Sequence, residues 1–191
     1  MIKTIAVGFD EIKSKLEPDE SLGIIGCGDC AAALGTGGTK QVENLMNFLS
    51  PEFPVLFSTV FRSPCDQRVL YRFIDLLPNF ENVSKIIMLA CPAGIQSLNS
   101  LLRERNSFTK VISGLKPIGL NWLSKNKTDF NACKFCTICE FDGSTTFCPV
   151  AACPLNRFDG PCQNRNYDDT CPIEPEKTCI WLEIFSGRSE K

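Results

Sequence analysis

The sequence predicts an α/β protein, with an N-terminal Rossmann-like parallel sheet over residues 1–115 and an irregular Cys-rich domain over residues 116–191. Three observations carry this. Short, nearly continuous apolar runs alternate with amphipathic stretches as far as Ser113, and strands apolar on both faces belong to parallel sheets covered by helices on each side. Eight of the twelve cysteines then fall between Cys133 and Cys179, where little apolar sequence remains to build a core. Finally, 191 residues suit one ordinary domain with a satellite or two small ones, and the change of texture favours two.

The elements follow in order. Residues 1 to 20 read as an opening segment with a short helix from Asp10 to Leu16, ended at Glu17-Pro18 because a residue before proline leaves the helical region. Leu22 to Gly26 is a short buried strand. Beyond Gly37-Gly38, Val42, Leu45, Met46 and Leu49 keep the i, i+3, i+4, i+7 spacing of one helix face, giving a helix from Thr39 to Leu49 with Met46 as core filler. Pro54 to Val60 is a second strand, backed by a helix from Asp66 to Leu77. Lys85 to Ala90 is a third, followed by a helix through Ile95, Leu98, Leu101 and Leu102. Val111 to Ser113 suggests a fourth. Residues 114 to 132, with Lys116-Pro117 and the polar run Ser124 to Asp129, read as the connection between domains, with Asn121, Trp122 and Leu123 tucked against one of them. Beyond Cys139 only turn residues such as Asp142-Gly143-Ser144, Asp159-Gly160-Pro161 and Tyr167-Asp168-Asp169 stand out. Ile180, Trp181, Leu182, Ile184 and Phe185 close the chain as an apolar patch, either packed beneath the Cys-rich part or offered to a partner.

Composition prunes the chemistry. A net charge of −2 leaves no basic footprint for nucleic acid or an anionic membrane, so neither partner is expected. Lys3, Asp10, Glu11, Lys13 and Lys15 interrupt the apolar residues of Met1 to Leu16, which leaves no signal-peptide core, and no later run is long enough to span a bilayer. A soluble, cytoplasmic protein is the expectation. Histidine is absent, which removes Cys2His2 zinc, Rieske clusters, His-ligated haem and His general-base catalysis together. Twelve cysteines divided by four allow three all-thiolate sites at most.

Within the Cys-rich part, Cys133-Lys-Phe-Cys136-Thr-Ile-Cys139 is a C-x2-C-x2-C run. Cys-Pro pairs follow at Cys148, Cys153 and Cys171, with single cysteines at Cys162 and Cys179. Cysteines two residues apart on a curling backbone can aim several thiolates at neighbouring irons, and a proline after a ligand stiffens the chain. Iron–sulfur ligation is therefore the first reading. Zinc is the competitor, although zinc ribbons and knuckles show two separated C-x2-C pairs rather than a triplet with wide single spacings. A disulfide framework comes third, since it needs an oxidising compartment.

The other four cysteines follow strands: Cys27 and Cys30 the first, Cys65 the second and Cys91 the third. Carboxyl ends of strands in an open parallel sheet share one rim, where ligands bind. A site built from Cys27, Cys30, Cys65 and Cys91 is thus geometrically reasonable, with Gly26, Gly28, Gly35, Gly37 and Gly38 offering close backbone approach. The blander reading of Cys65 and Cys91 is a buried thiol. Gly26-x-Gly28-x-x-Ala31 is a weak dinucleotide fingerprint. Asp29 and Glu43 read as solvated carboxylates, and no acid–base or nucleophile constellation is present.

With these residues in view, the chain resembles the small iron–sulfur subunit of methylenetetrahydrofolate reductases of acetogenic and related anaerobic bacteria. The match rests on Cys148-Pro149-Val150 through Cys153, Gly160-Pro161-Cys162, Cys171, and Glu174-Pro175-Glu176-x-x-Cys179-x-Trp181. Gly26-Cys27-Gly28-Asp29-Cys30 with Gly37-Gly38, and Ala90-Cys91-Pro92-Ala93-Gly94-Ile95-Gln96, are similar to that family's N-terminal segments. The chain departs from the family pattern at Leu34, where a further cysteine is usual, and at Gln163-Asn164, where the family has Gly-Gly. The resemblance implies a redox subunit that relays electrons and leaves catalysis to its partner. Its cofactors would be two or three [4Fe-4S] clusters, with structural zinc as the alternative. The implied partners are a flavin-containing TIM-barrel reductase subunit, which alone would carry FMN and bind methylenetetrahydrofolate, and a ferredoxin or larger redox complex as donor. With no cysteine at position 34, Cys65 and Cys91 are expected to complete the N-terminal site.

Overall fold

The computed structural model describes residues 1–123, 129–136, 139, 148–163 and 165–185. The polar run from Ser124 to Thr128, the Asp142-Gly143-Ser144 turn and Asn164 lie outside the described residues. The chain divides into two compact units, one of Ile2–Ile118 and one of Met1 with Gly119–Lys191.

The larger unit runs β1 (Ile2–Ala6), α1 (Phe9–Lys13), β2 (Leu22–Cys27), α2 (Cys30–Ala33), α3 (Thr39–Leu49), β3 (Val55–Phe61), α4 (Gln67–Phe73), β4 (Lys85–Leu89), α5 (Pro92–Glu104) and β5 (Lys110–Ser113). Strands β2 to β5 form one sheet in the order β3-β2-β4-β5, parallel throughout. Every residue of β2 and of β4 is buried, whereas β3 and β5 alternate with more exposed positions, as edge strands do. The continuous apolar runs Leu22-Gly-Ile-Ile-Gly and Lys85-Ile-Ile-Met-Leu are therefore central strands with a helix layer on either side. Val42, Leu45 and Leu49 of α3 and Leu98, Leu101 and Leu102 of α5 are the buried stripes that cover it. Asp66 caps α4 by accepting the Arg68 amide at 3.0 Å, and a 3-10 turn over Ile74–Leu76 extends that helix.

The strand order reverses direction between β2 and β4. Starting from β2, the chain first builds outward to β3, then returns to place β4 on the other side. That reversal opens a crevice beyond the carboxyl ends of β2 and β4, and these are the ends that lead into Cys27 and Cys91.

At the amino end of β4, Lys85 is buried at 7% exposure. Its ammonium meets Glu20 at 2.7 Å and donates to the Lys15 carbonyl at 2.7 Å. Burial raises the Glu20 carboxyl, but the Glu17 amide and Lys85 outweigh it and hold the group below its ordinary value.

Two segments differ from expectation. The opening segment contains β1, and its helix is the shorter Phe9–Lys13. Residues 114 to 132, expected as a connection, carry strands β6 (Leu115–Leu123) and β7 (Asp129–Cys133). Pro117 precedes the residues of β6 that pair with β7, Leu120 to Leu123, so its missing amide breaks none of those rungs. In the larger unit, the Val7 amide donates to the Gly114 carbonyl at 2.9 Å.

In the smaller unit, Met1 and Asn121 exchange two bonds, ammonium to carbonyl at 2.7 Å and amide to carbonyl at 2.8 Å. Beyond β7 the described residues hold only two short helices, α6 (Pro149–Ala152) and α7 (Ile180–Phe185), and an isolated bridge between Thr170 and Thr178. The two helices pack on each other. Among the described residues no helix is long and apolar enough to cross a membrane.

Candidate metal centre

The rim of the larger unit collects four cysteines because each strand end turns into a loop tied to the next. Cys27 is the last residue of β2 and is buried. The chain then doubles back through Gly28 and Asp29 into α2, which begins at Cys30, and the backbone amides of Asp29 and Ala31 act to lower the Cys27 thiol pKa. Gly28 donates to the Phe61 carbonyl at the end of β3, at 2.8 Å. Four residues beyond Phe61 comes Cys65, which is exposed. Gly37 lies so close to the end of β4 that a Cβ there would sit 2.2 Å from the Leu89 carbonyl oxygen, so only glycine fits. Cys91 then caps α5, with Pro92 in its first turn, and its carbonyl accepts the Gly94 amide at 3.0 Å.

At two of the four thiols, Cys27 and Cys65, the neighbouring rim cysteines act on protonation. Burial pushes the Cys27 thiol up, and Cys30 and Cys91 push it further, against the pull of the two amides. At Cys65 local desolvation acts first, and Cys91, Cys27 and Cys30 add to it. Each thiolate formed here would repel the others. A thiophilic cation reverses this, because coordination removes the protons and supplies the compensating charge. The donor chemistry fits such a group, although among the described residues no three His, Cys, Asp or Glu side chains already stand as a metal site.

Asp29 is not the solvated carboxylate its sequence context suggests. Its carboxylate accepts from the Ser63 hydroxyl and lies 3.4 Å from Arg62 Nε. The Ser63 hydroxyl, first among these, holds it below the usual carboxylate range, with Arg62 adding to the effect. No local signal announces this, since its partners lie more than thirty positions away.

The smaller unit treats its eight cysteines differently. Cys133 ends β7, and its sulfur accepts the Phe135 amide at 3.3 Å. Phe135 has φ 56°, so the Cys133-Lys-Phe-Cys136 segment curls through the left-handed region as a knuckle does. Cys136 is half-buried and Cys139 exposed. Cys148 caps α6 and Cys153 ends it. Cys171 and Cys179 sit on the two arms of a tight hairpin: the Cys171 amide donates to Lys177 at 2.8 Å and the Cys179 amide to Asp169 at 3.0 Å. The Glu174-Pro-Glu turn closes that hairpin, with the Lys177 amide on the Glu174 carbonyl at 2.9 Å and the Lys177 ammonium on its carboxylate at 2.7 Å. Trp181 covers Gly160 so closely that a Cβ there would meet its indole at 2.0 Å. The Gly160-Pro161-Cys162 turn and the Cys179-x-Trp181 segment are thereby held together. This favours packing over partner display for Trp181 in the closing apolar patch.

All twelve cysteines are described, and none forms a disulfide. The structure brings Cys27, Cys30, Cys65 and Cys91 to one rim. For Cys133, Cys136, Cys139, Cys148, Cys153, Cys162, Cys171 and Cys179 it provides the knuckle, helix ends and hairpin, and at neither place do three such side chains among the described residues already stand as a metal site. No curated protein and no solved structure matches the chain. Residues 117–191 match the family described as the C terminal of methylene-tetrahydrofolate reductase, and this Cys-rich part of the chain is related to that family.

Proposed function

We propose that the chain is a cytoplasmic electron-transfer subunit of a methylenetetrahydrofolate reductase, with catalysis in a flavin-bearing TIM-barrel partner that makes methyltetrahydrofolate. The observation that carries this reading is the placement of four cysteines at the carboxyl rim of the sheet, in a chain whose remaining eight cysteines lie in a reductase-related segment. Two or three [4Fe-4S] clusters would supply one-electron chemistry at low potential, taken from a ferredoxin or a larger redox complex.

The residues have distinct parts in this reading. Cys27, Cys30, Cys65 and Cys91 would hold one group, and the C-terminal cysteines the others. The Phe135 amide donates to the Cys133 sulfur, which stabilises its negative charge and raises the potential of whatever it ligates. With no histidine in the chain, no imidazole competes for ligation.

The experiment is anaerobic purification followed by visible and EPR spectroscopy, with reduced ferredoxin as donor and the flavoprotein subunit as acceptor. A brown protein with broad absorbance near about 400 nm, whose presence speeds flavin reduction, supports the proposal. A colourless, zinc-loaded, folded protein contradicts it and leaves a structural zinc-binding accessory subunit of the same reductase.

A further inference from the structure

We infer that Asp29 is the positioning residue of the rim, its carboxylate clamping the loop that carries Cys65 onto the turn that carries Cys27 and Cys30. The inference rests on reading those cysteines, with Cys91, as one metal site, and adds a residue that is not itself a ligand. Two groups of the β3 loop converge on this one carboxylate: the Ser63 hydroxyl and Arg62 Nε at 3.4 Å. On its other side, the Asp29 carbonyl accepts the Ala33 amide at 2.8 Å, which shapes the turn into α2. One residue therefore joins the turn between Cys27 and Cys30 to the loop that leads to Cys65.

The β3 loop needs such a tether. Cys65 is exposed, and the loop before it passes through Ser63 at φ 47°, a conformation that costs a non-glycine residue free energy. Gly28 on Phe61 secures only the base of that loop. Its next anchor is the Asp66 amide on the Ser63 carbonyl at 2.8 Å, which fixes Cys65 relative to Ser63. Fixing Ser63 against Asp29 thus fixes Cys65 against Cys27 and Cys30. A ligand set spread over three strand ends is assembled productively only when such supporting contacts hold its geometry.

The test uses the full chain purified without oxygen, with iron and zinc counted per chain in Cys91→Ala, Asp29→Ala, Ser63→Ala and Ser63→Thr. Cys91→Ala should lose one site's metal, about four irons per chain for a cubane. Asp29→Ala should lose the same metal with all its rim ligands present. Ser63→Ala should lose the greater part of it, and Ser63→Thr, which keeps the hydroxyl, should restore it. The melting temperature of the metal-free forms should stay at the wild-type value across the Ser63 pair. If Cys91→Ala loses metal while Asp29→Ala and Ser63→Ala keep theirs with an unchanged EPR line shape, the clamp is overturned and the site stands. If Cys91→Ala loses none, the rim is not a metal site and both readings fall. Should Asp29→Ala fail to fold, the Ser63 pair decides, since equal metal in Ala and Thr variants also overturns the clamp.

Discussion

The two units of this chain are stabilised by different means. In the larger one, Leu22, Ile24, Ile25, Leu45, Ile86, Ile87, Leu98 and Leu101 are wholly buried in one continuous core. In the smaller one, the buried apolar residues among those described are Ala151 and three cysteines, Cys153, Cys162 and Cys179. Among the described residues of that unit, the buried apolar surface is too small to offset the entropy of ordering the backbone. The contrast teaches that the same residue type has two uses here. At the rim, cysteines are added to a scaffold that folds by packing. In the smaller unit, the expectation is that whatever binds the cysteines contributes to the fold itself.

Removing metal should break the symmetry between the units most strongly. After anaerobic chelation at mildly acidic pH, limited proteolysis should digest the smaller unit and leave a protected fragment close to residues 2–118. Equal digestion of both units would contradict the contrast.

Next in size is Leu98→Ala, which empties part of the core beneath α5 and should cost about 3 kcal/mol by the transfer and cavity terms. Denaturant titration of the larger unit should show that loss, with the metal content of the C-terminal sites unchanged.

Glu20→Gln should destabilise the same unit by about 2 kcal/mol at neutral pH, because it leaves the buried Lys85 without its counter-charge. The pH dependence has a definite sign. The Glu20 carboxyl is held low in the folded protein, so its contribution is complete above about pH 4.3, the unfolded value. It is lost as the pH falls through the lowered folded value. Stability curves of wild type and Glu20→Gln should therefore converge on the acid side.

The smallest effect is expected at Phe135. Glycine there relieves the left-handed backbone and keeps the amide that donates to Cys133. Phe135→Gly should leave C-terminal metal content unchanged and shift its loss under chelator by about 1 kcal/mol or less, read from the midpoint of a chelator titration.

The scaffold was legible where periodicity is physical. The Thr39 to Leu49 helix and the four strands of the parallel sheet follow from apolar patterning, and the shared rim follows from strand direction alone. β1 was not legible, since Ile2-Lys-Thr-Ile-Ala is a short strand with an undistinguished pattern. β6 was hidden by Lys116-Pro117, which carries turn chemistry although here it sits in an extended strand, and β7 by the polar run that ends at its first residue, Asp129. The cysteines announced themselves, but their supports did not: the tie from Asp29 to Ser63 spans 34 positions, and Gly160 beneath Trp181 is a contact of shape rather than of pattern. Long-range polar partners leave no periodic trace in a sequence.

The central claim is that the cysteines of both units ligate iron–sulfur clusters, and counting iron, acid-labile sulfide and zinc per chain in protein purified without oxygen tests it most directly. The account predicts equal iron and sulfide, about eight of each for two cubanes or about twelve for three, with little zinc. Stoichiometric zinc with fewer than about four irons per chain would contradict it.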